Sequence, residues 1–73
     1  MKIFYQVDLQ AELTRRIAQN GLRATAREME VSAPFLGDVA HRNRGISDKV
    51  AIALGFEPLP QMPVIRRWRR KVQ

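Results

Sequence analysis

Between Asp8 and Phe56 the chain is cut by helix-terminating and helix-starting residues at short, regular intervals, and this punctuation limits the fold more than any other feature. Asn20-Gly21, Ser32-Ala33-Pro34, Ser47-Asp48 and Gly55 leave room for short helices only. Leu9, Leu13 and Ile17 recur at steps of four, which places them on one face of a first helix. Asp8 is positioned to cap it, and Asn20-Gly21 to end it, because both residues tolerate left-handed backbone angles. A second stripe, Leu22, Ala26 and Met29, covers about two turns.

Ser32 is a favourable N-cap for a third helix, and Pro34 falls in its first turn, where a missing N–H is no loss. Val31 before the cap and Leu36 within the helix form a hydrophobic staple, and Leu36, Val39 and Ala40 supply the buried face. Arg42-Asn43-Arg44-Gly45 is a polar break. Ser47 caps a fourth helix with Asp48 in its first turn, where the helix dipole favours an anion. Ile46, Val50, Ala51 and Leu54 give that helix its apolar side; Gly55 ends it, and Phe56 is placed for the contact that often follows a terminating glycine.

Beyond Gly55 the character changes. Pro58, Pro60 and Pro63 exclude a helix interior and force an extended path. Val64, Trp68 and Val72 fit one face of a helix or one face of a strand; the preceding prolines and the Val, Ile and Trp content favour a strand. Lys2-Ile3-Phe4-Tyr5 is also strand-like and could pair with it. The sequence therefore divides into residues 1–57, a helical body with a leading extended segment, and residues 58–73, a proline-rich then arginine-rich extension.

Charge follows the same division. All seven acidic residues lie between Asp8 and Glu57, where eight basic residues nearly balance them. The extension holds Arg66, Arg67, Arg69, Arg70 and Lys71 and no acid, so it carries most of the net +6. Ten of the thirteen cations are arginine, whose planar fork suits phosphate. A partner with rows of phosphates fits this balance better than a small acidic metabolite. If each of the five cations neutralised a phosphate, log affinity would fall against log salt with a slope of about −4 to −5 from the extension alone.

The composition excludes much else. With no cysteine there is no disulfide or thiolate metal site, and Val50 to Leu54, the longest apolar stretch, is far too short to span a bilayer. The first ten residues lack the layout of a secretion signal, so a cytoplasmic location is expected. A single histidine, with Ser32 and Ser47 both accounted for as caps, offers little for catalysis. Asp38 and His41 could share a metal, but two ligands without a third make a weak site. No glycine-rich phosphate loop occurs. Neither an enzyme, a cofactor, a metal nor a small-molecule ligand is expected.

The stretch LRATAREMEVSAPFLGDVAH, Leu22 to His41, reads as two short helices joined by a tight turn, with small Ala26 where steeply crossing helices approach most closely. It resembles the helix-turn-helix of the Cro and lambda-repressor superfamily. The resemblance extends over roughly Asp8 to Phe56, since that family adds a leading helix and a further helix after the motif, which DKVAIALGF looks like. It implies a mainly α, four-helix helix-turn-helix domain, here with a short terminal β-strand or ribbon as an addition. One departure is Glu30, where the family usually has glycine because the turn takes a positive φ.

The resemblance also implies a function: a double-stranded-DNA-binding regulator, such as a small repressor acting as a homodimer on a near-palindromic operator. The third helix would enter the major groove through Ser32, Ala33, Pro34, Gly37, Asp38 and His41, with Arg42, Asn43 and Arg44 following. These helix positions are poor in donors: Asp38 could accept from cytosine or merely brace Arg42, and Ala33 or Phe35 could meet a thymine methyl. Arg42 or Arg44 could reach a guanine edge or a phosphate. Arg23 and the five cations of the extension would contact the DNA backbone. Ile3, Tyr5, Val64 and Trp68 are the candidate dimer residues, with Trp68 expected to pack against the body or a second subunit. Two other readings stay open: an RNA or non-specific nucleic-acid binder using the arginine-rich extension, and a DNA-binding antitoxin or other interaction module.

Overall fold

A computed structural model of the chain describes residues 2–60 and 65–71. Its elements are α1 (Gln6–Asn20), α2 (Leu22–Glu28), α3 (Ala33–Ala40), α4 (Asp48–Ala53), β1 (Phe56–Pro58) and β2 (Trp68–Arg70). The protein is mainly helical with a small two-stranded antiparallel sheet, as expected for the helical body and the strand-forming extension. Among the described residues no helix is long and apolar enough to cross a membrane.

Helix α1 begins three residues earlier than it would with Asp8 as its cap. Tyr5 is the N-cap, and Asp8, at the third helical position, accepts a hydrogen bond from the Tyr5 backbone N–H at 2.8 Å. The carboxylate still serves the helix N-terminus, from inside the first turn rather than from before it. Leu9 and Leu13 are fully buried, each contributing about 1.5–3 kcal/mol. Gly21 then turns the chain, with φ 87° and ψ 155°, a combination closed to residues with a Cβ.

Helices α2 and α3 are joined by a short left-handed reversal. Glu30 has φ 57°; its N–H donates to Arg27 O at 3.2 Å and that of Val31 to Ala26 O at 3.0 Å. This is a Schellman closure, which normally uses glycine at the left-handed position. The expected positive φ is thus present at Glu30, with a glutamate in place. Leu36 and Val39 of α3 join Ala26 and Met29 of α2 and Leu9 and Leu13 of α1 in one core, and Val31 packs against it.

Ser47 caps α4 by accepting from Val50 N–H at 3.2 Å. Gly55, at φ 94°, ends that helix and leads into β1. In the sheet Phe56 pairs with Arg70, Glu57 with Arg69 and Pro58 with Trp68. Phe4 forms a further antiparallel bridge to Trp68 through two backbone bonds of 2.8 and 2.9 Å. The N-terminal segment therefore does pair with the extension, as expected. Phe4 and Phe56 meet edge-to-face with centroids 4.9 Å apart.

Trp68, expected to pack against the body or a second subunit, is fully buried in the core of one chain, among the same cluster as Phe56 and Leu54, which leaves it no surface for a dimer contact. A domain this small buries little apolar surface from its helices alone, and the indole completes the core. Tyr5 is exposed and Ile3 half-buried, so they remain accessible, whereas Val64 lies outside the described residues.

Candidate nucleic-acid interface

Helix α3 is held at both ends. At its start the Ser32 hydroxyl oxygen accepts from Phe35 N–H at 3.2 Å, and Pro34 occupies the first turn. At its end all four terminal carbonyls have partners. His41 N–H donates to Gly37 O, Asn43 N–H to Asp38 O, and Arg42 N–H to Val39 O. The Gln10 amide, reaching across from α1, donates to Val39 O at 2.7 Å and to Ala40 O at 3.1 Å. The carbonyls that a helix cannot satisfy internally are thereby closed by a loop on one side and a buried side chain on the other.

Arg42 sits at φ 64° in that loop, in the left-handed position of a second Schellman closure. The polar break read from Arg42 to Gly45 is thus a defined chain reversal, which sends the following residues back along α3.

The faces of α3 are sorted by burial. Leu36 and Val39 point into the core, while Pro34 and His41 are exposed and Asp38 is half-exposed. Ser32 is exposed at one end, and Arg42, Asn43 and Arg44 at the other. These seven expected contact residues are spread from the helix start to the reversal. Ala33 and Gly37 are turned partly inward: Ala33 packs against the core, and a Cβ added at Gly37 would lie 3.8 Å from Leu22 Cδ2. Arg23 is exposed in the first turn of α2.

Asp38 does not brace Arg42. Its Oδ2 lies 3.5 Å from Arg44 Nε, and the Arg44 guanidinium stacks over the Phe35 ring, 5.4 Å from the centroid. Sequence spacing favoured the residue one helical turn on; the left-handed reversal brings in the residue two further.

The cations of the extension are mostly engaged within the chain. Arg66 donates to Ile46 O at 2.5 Å, pairs with Asp48 at 2.8 Å and stacks on Trp68 at 4.8 Å. Arg67 donates to Pro60 O at 3.2 Å, and Arg69 pairs with Glu57. Arg70 lies over Phe4 and Phe56, 5.2 and 4.9 Å from their centroids, with its side chain at the surface; Lys71 is exposed. The described part of the extension is folded onto the body, and its charges are distributed over that surface.

An open apolar depression of about 280 Å³ lies between α1, α2 and α3, lined by Thr14, Ile17, Leu22, Gly37, Ala40 and His41. Among the described residues that line it, His41 alone is titratable.

Two elements of this surface were not legible in the chain: Gln10, a polar residue on the buried face of α1, and the partnership of Asp38 with Arg44. Both depend on tertiary approach rather than on local spacing. No family model matches the chain, and no curated protein or solved structure is significantly similar to it.

Proposed function

We propose that this protein is a sequence-specific double-stranded-DNA-binding transcriptional regulator built on a helix-turn-helix, with α2 as the positioning helix and α3 as the recognition helix. The observation that carries this reading is the exposed, polar course from Ser32 through Pro34, Asp38 and His41 to Arg44 on a helix whose opposite face is buried. A short helix pinned at both ends, with solvent-facing polar side chains and adjacent arginines, suits insertion into a major groove. Arg23 at the start of α2 and the exposed Arg42 flank it and suit phosphate contacts.

A single reader of this size covers only a few base pairs, so it would act as a homodimer on a near-palindrome with half-sites about one helical turn apart, as a small repressor occluding polymerase. Binding of RNA, or of nucleic acid without sequence preference, through the extension is the weaker reading, because Arg66, Arg67 and Arg69 already have partners within the chain.

Selection of bound duplexes from a random pool at physiological salt tests the proposal. Recovery of a two-fold symmetric motif is the expected outcome. Retention of all duplexes alike, or tighter binding to single-stranded RNA, would count against it.

A further inference from the structure

The outward face of α3 is poor in hydrogen-bond donors, since Pro34 and Asp38 offer no donor side chain between them. The structure supplies one from elsewhere. The reversal at Arg42 returns the chain so that the Arg44 guanidinium lies on α3 itself, over the Phe35 ring and beside the Asp38 carboxylate. Phe35 and Asp38 are three residues apart and therefore neighbours on one helix face. The Arg44 and Asp38 side chains keep 58% and 49% of their accessibility, so the pair is open to solvent. An ion pair so exposed adds little to stability, and folding does not explain why it is built on this face.

On the DNA-binding reading given above, we propose that Arg44 is the base-reading arginine of this surface, recognising a guanine through O6 and N7, and that Asp38 is a positioning residue that holds it. The ion pair is made through Nε, and the two terminal nitrogens have no hydrogen-bond partner among the described residues; that planar pair of donors matches the two acceptors of a guanine edge in the major groove. The cation–π contact with Phe35 holds the guanidinium against this face of α3. The same carboxylate repels a fully charged phosphate approaching Arg44 more strongly than it repels the uncharged guanine edge. Asp38 thus selects for base contact over backbone contact, and its own reading of cytosine is not required.

The test compares the wild type with Arg44→Ala, Arg44→Lys and Asp38→Asn, each first shown by circular dichroism to fold. Each is put through selection from a random duplex pool at one salt concentration. Binding is then measured on the wild-type consensus duplex with guanine or 7-deazaguanine at each enriched position. The expected result is one guanine per half-site that vanishes from the Arg44→Ala and Arg44→Lys motifs. The 7-deaza substitution there should weaken the wild type by about 5- to 150-fold and leave Arg44→Ala unaffected. Asp38→Asn should lose discrimination at that same position while retaining the rest of the motif. A uniform loss of affinity in Arg44→Ala, with the motif intact and the salt slope lower by about 1, would make Arg44 a phosphate contact and overturn the assignment. If the wild type enriches no motif at all, the DNA-reading function itself fails and the assignment fails with it; an enriched motif that Arg44 does not affect overturns the assignment alone.

Discussion

Gln10 Nε2 lies 2.7 Å from the carbonyl oxygen of Val39, so a side chain of the first helix closes the end of the third. The same amide reaches Ala40 O, for which it is the partner at 3.1 Å, whereas Val39 O also accepts from Arg42 N–H. Replacing Gln10 by methionine keeps the volume but leaves Ala40 O unpaired beside an apolar chain. The loss is offset in part because Gln10 Oε1 is itself buried without a partner. A net cost of about 1–2 kcal/mol is expected, read as a lower urea midpoint with unchanged m-value. An unaltered midpoint would show that water satisfies Ala40 O as well as the amide does.

Glu30 tests the reversal between α2 and α3. At φ 57° a residue with a Cβ is less stable than glycine by about 1 kcal/mol, and Glu30 is exposed. Glu30→Gly should therefore raise the melting temperature by about 4–8 °C. A flat or lower value would mean that the greater freedom of glycine in the unfolded chain outweighs the relief of the left-handed backbone.

Gly21 provides the opposite substitution in a cleaner setting. A Cβ built there meets no atom within 4 Å, so a change to alanine adds no clash with neighbouring residues. Its backbone at φ 87° and ψ 155° is nonetheless open to glycine almost alone. Gly21→Ala should destabilise by about 1–3 kcal/mol, measured by thermal or urea unfolding. A neutral result would indicate that the α1–α2 junction adopts another conformation.

These positions also show what a single sequence reveals. Helix limits were readable because Ser32, Ser47, Gly21 and Gly55 act on their own neighbours, and the positive φ at Glu30 followed from resemblance to a known turn. Asp8 was read as the cap rather than as the third helical residue, because an acid favours a helix start at either position. For Trp68 the sequence leaves both the body and a second subunit open, because its burial depends on strands arriving from both ends of the chain. Gln10, and the choice of Arg44 over Arg42 as the partner of Asp38, were beyond reach for the same reason: each is decided by where α3 ends in space.

The partners of the arginines in the extension set a prediction about salt. Arg66 and Arg69 already face Asp48 and Glu57, so a bound duplex gains less counterion release from them than from Arg70 and Lys71. The slope of log affinity against log salt should accordingly become shallower by about 2 in the double variant Arg70→Gln with Lys71→Gln, well short of the −4 to −5 that five phosphate contacts would give. Arg66→Gln with Arg69→Gln should instead act mainly on folding. It removes the bond to Ile46 O and the stacking on Trp68, and should lower the melting temperature by several degrees, about 4–8 °C per kcal/mol lost. Titrations at three or more salt concentrations, with melting curves on the same samples, separate the two effects. Equal changes of slope in the two double variants would show that the internal ion pairs open on binding and that the whole extension contacts the duplex.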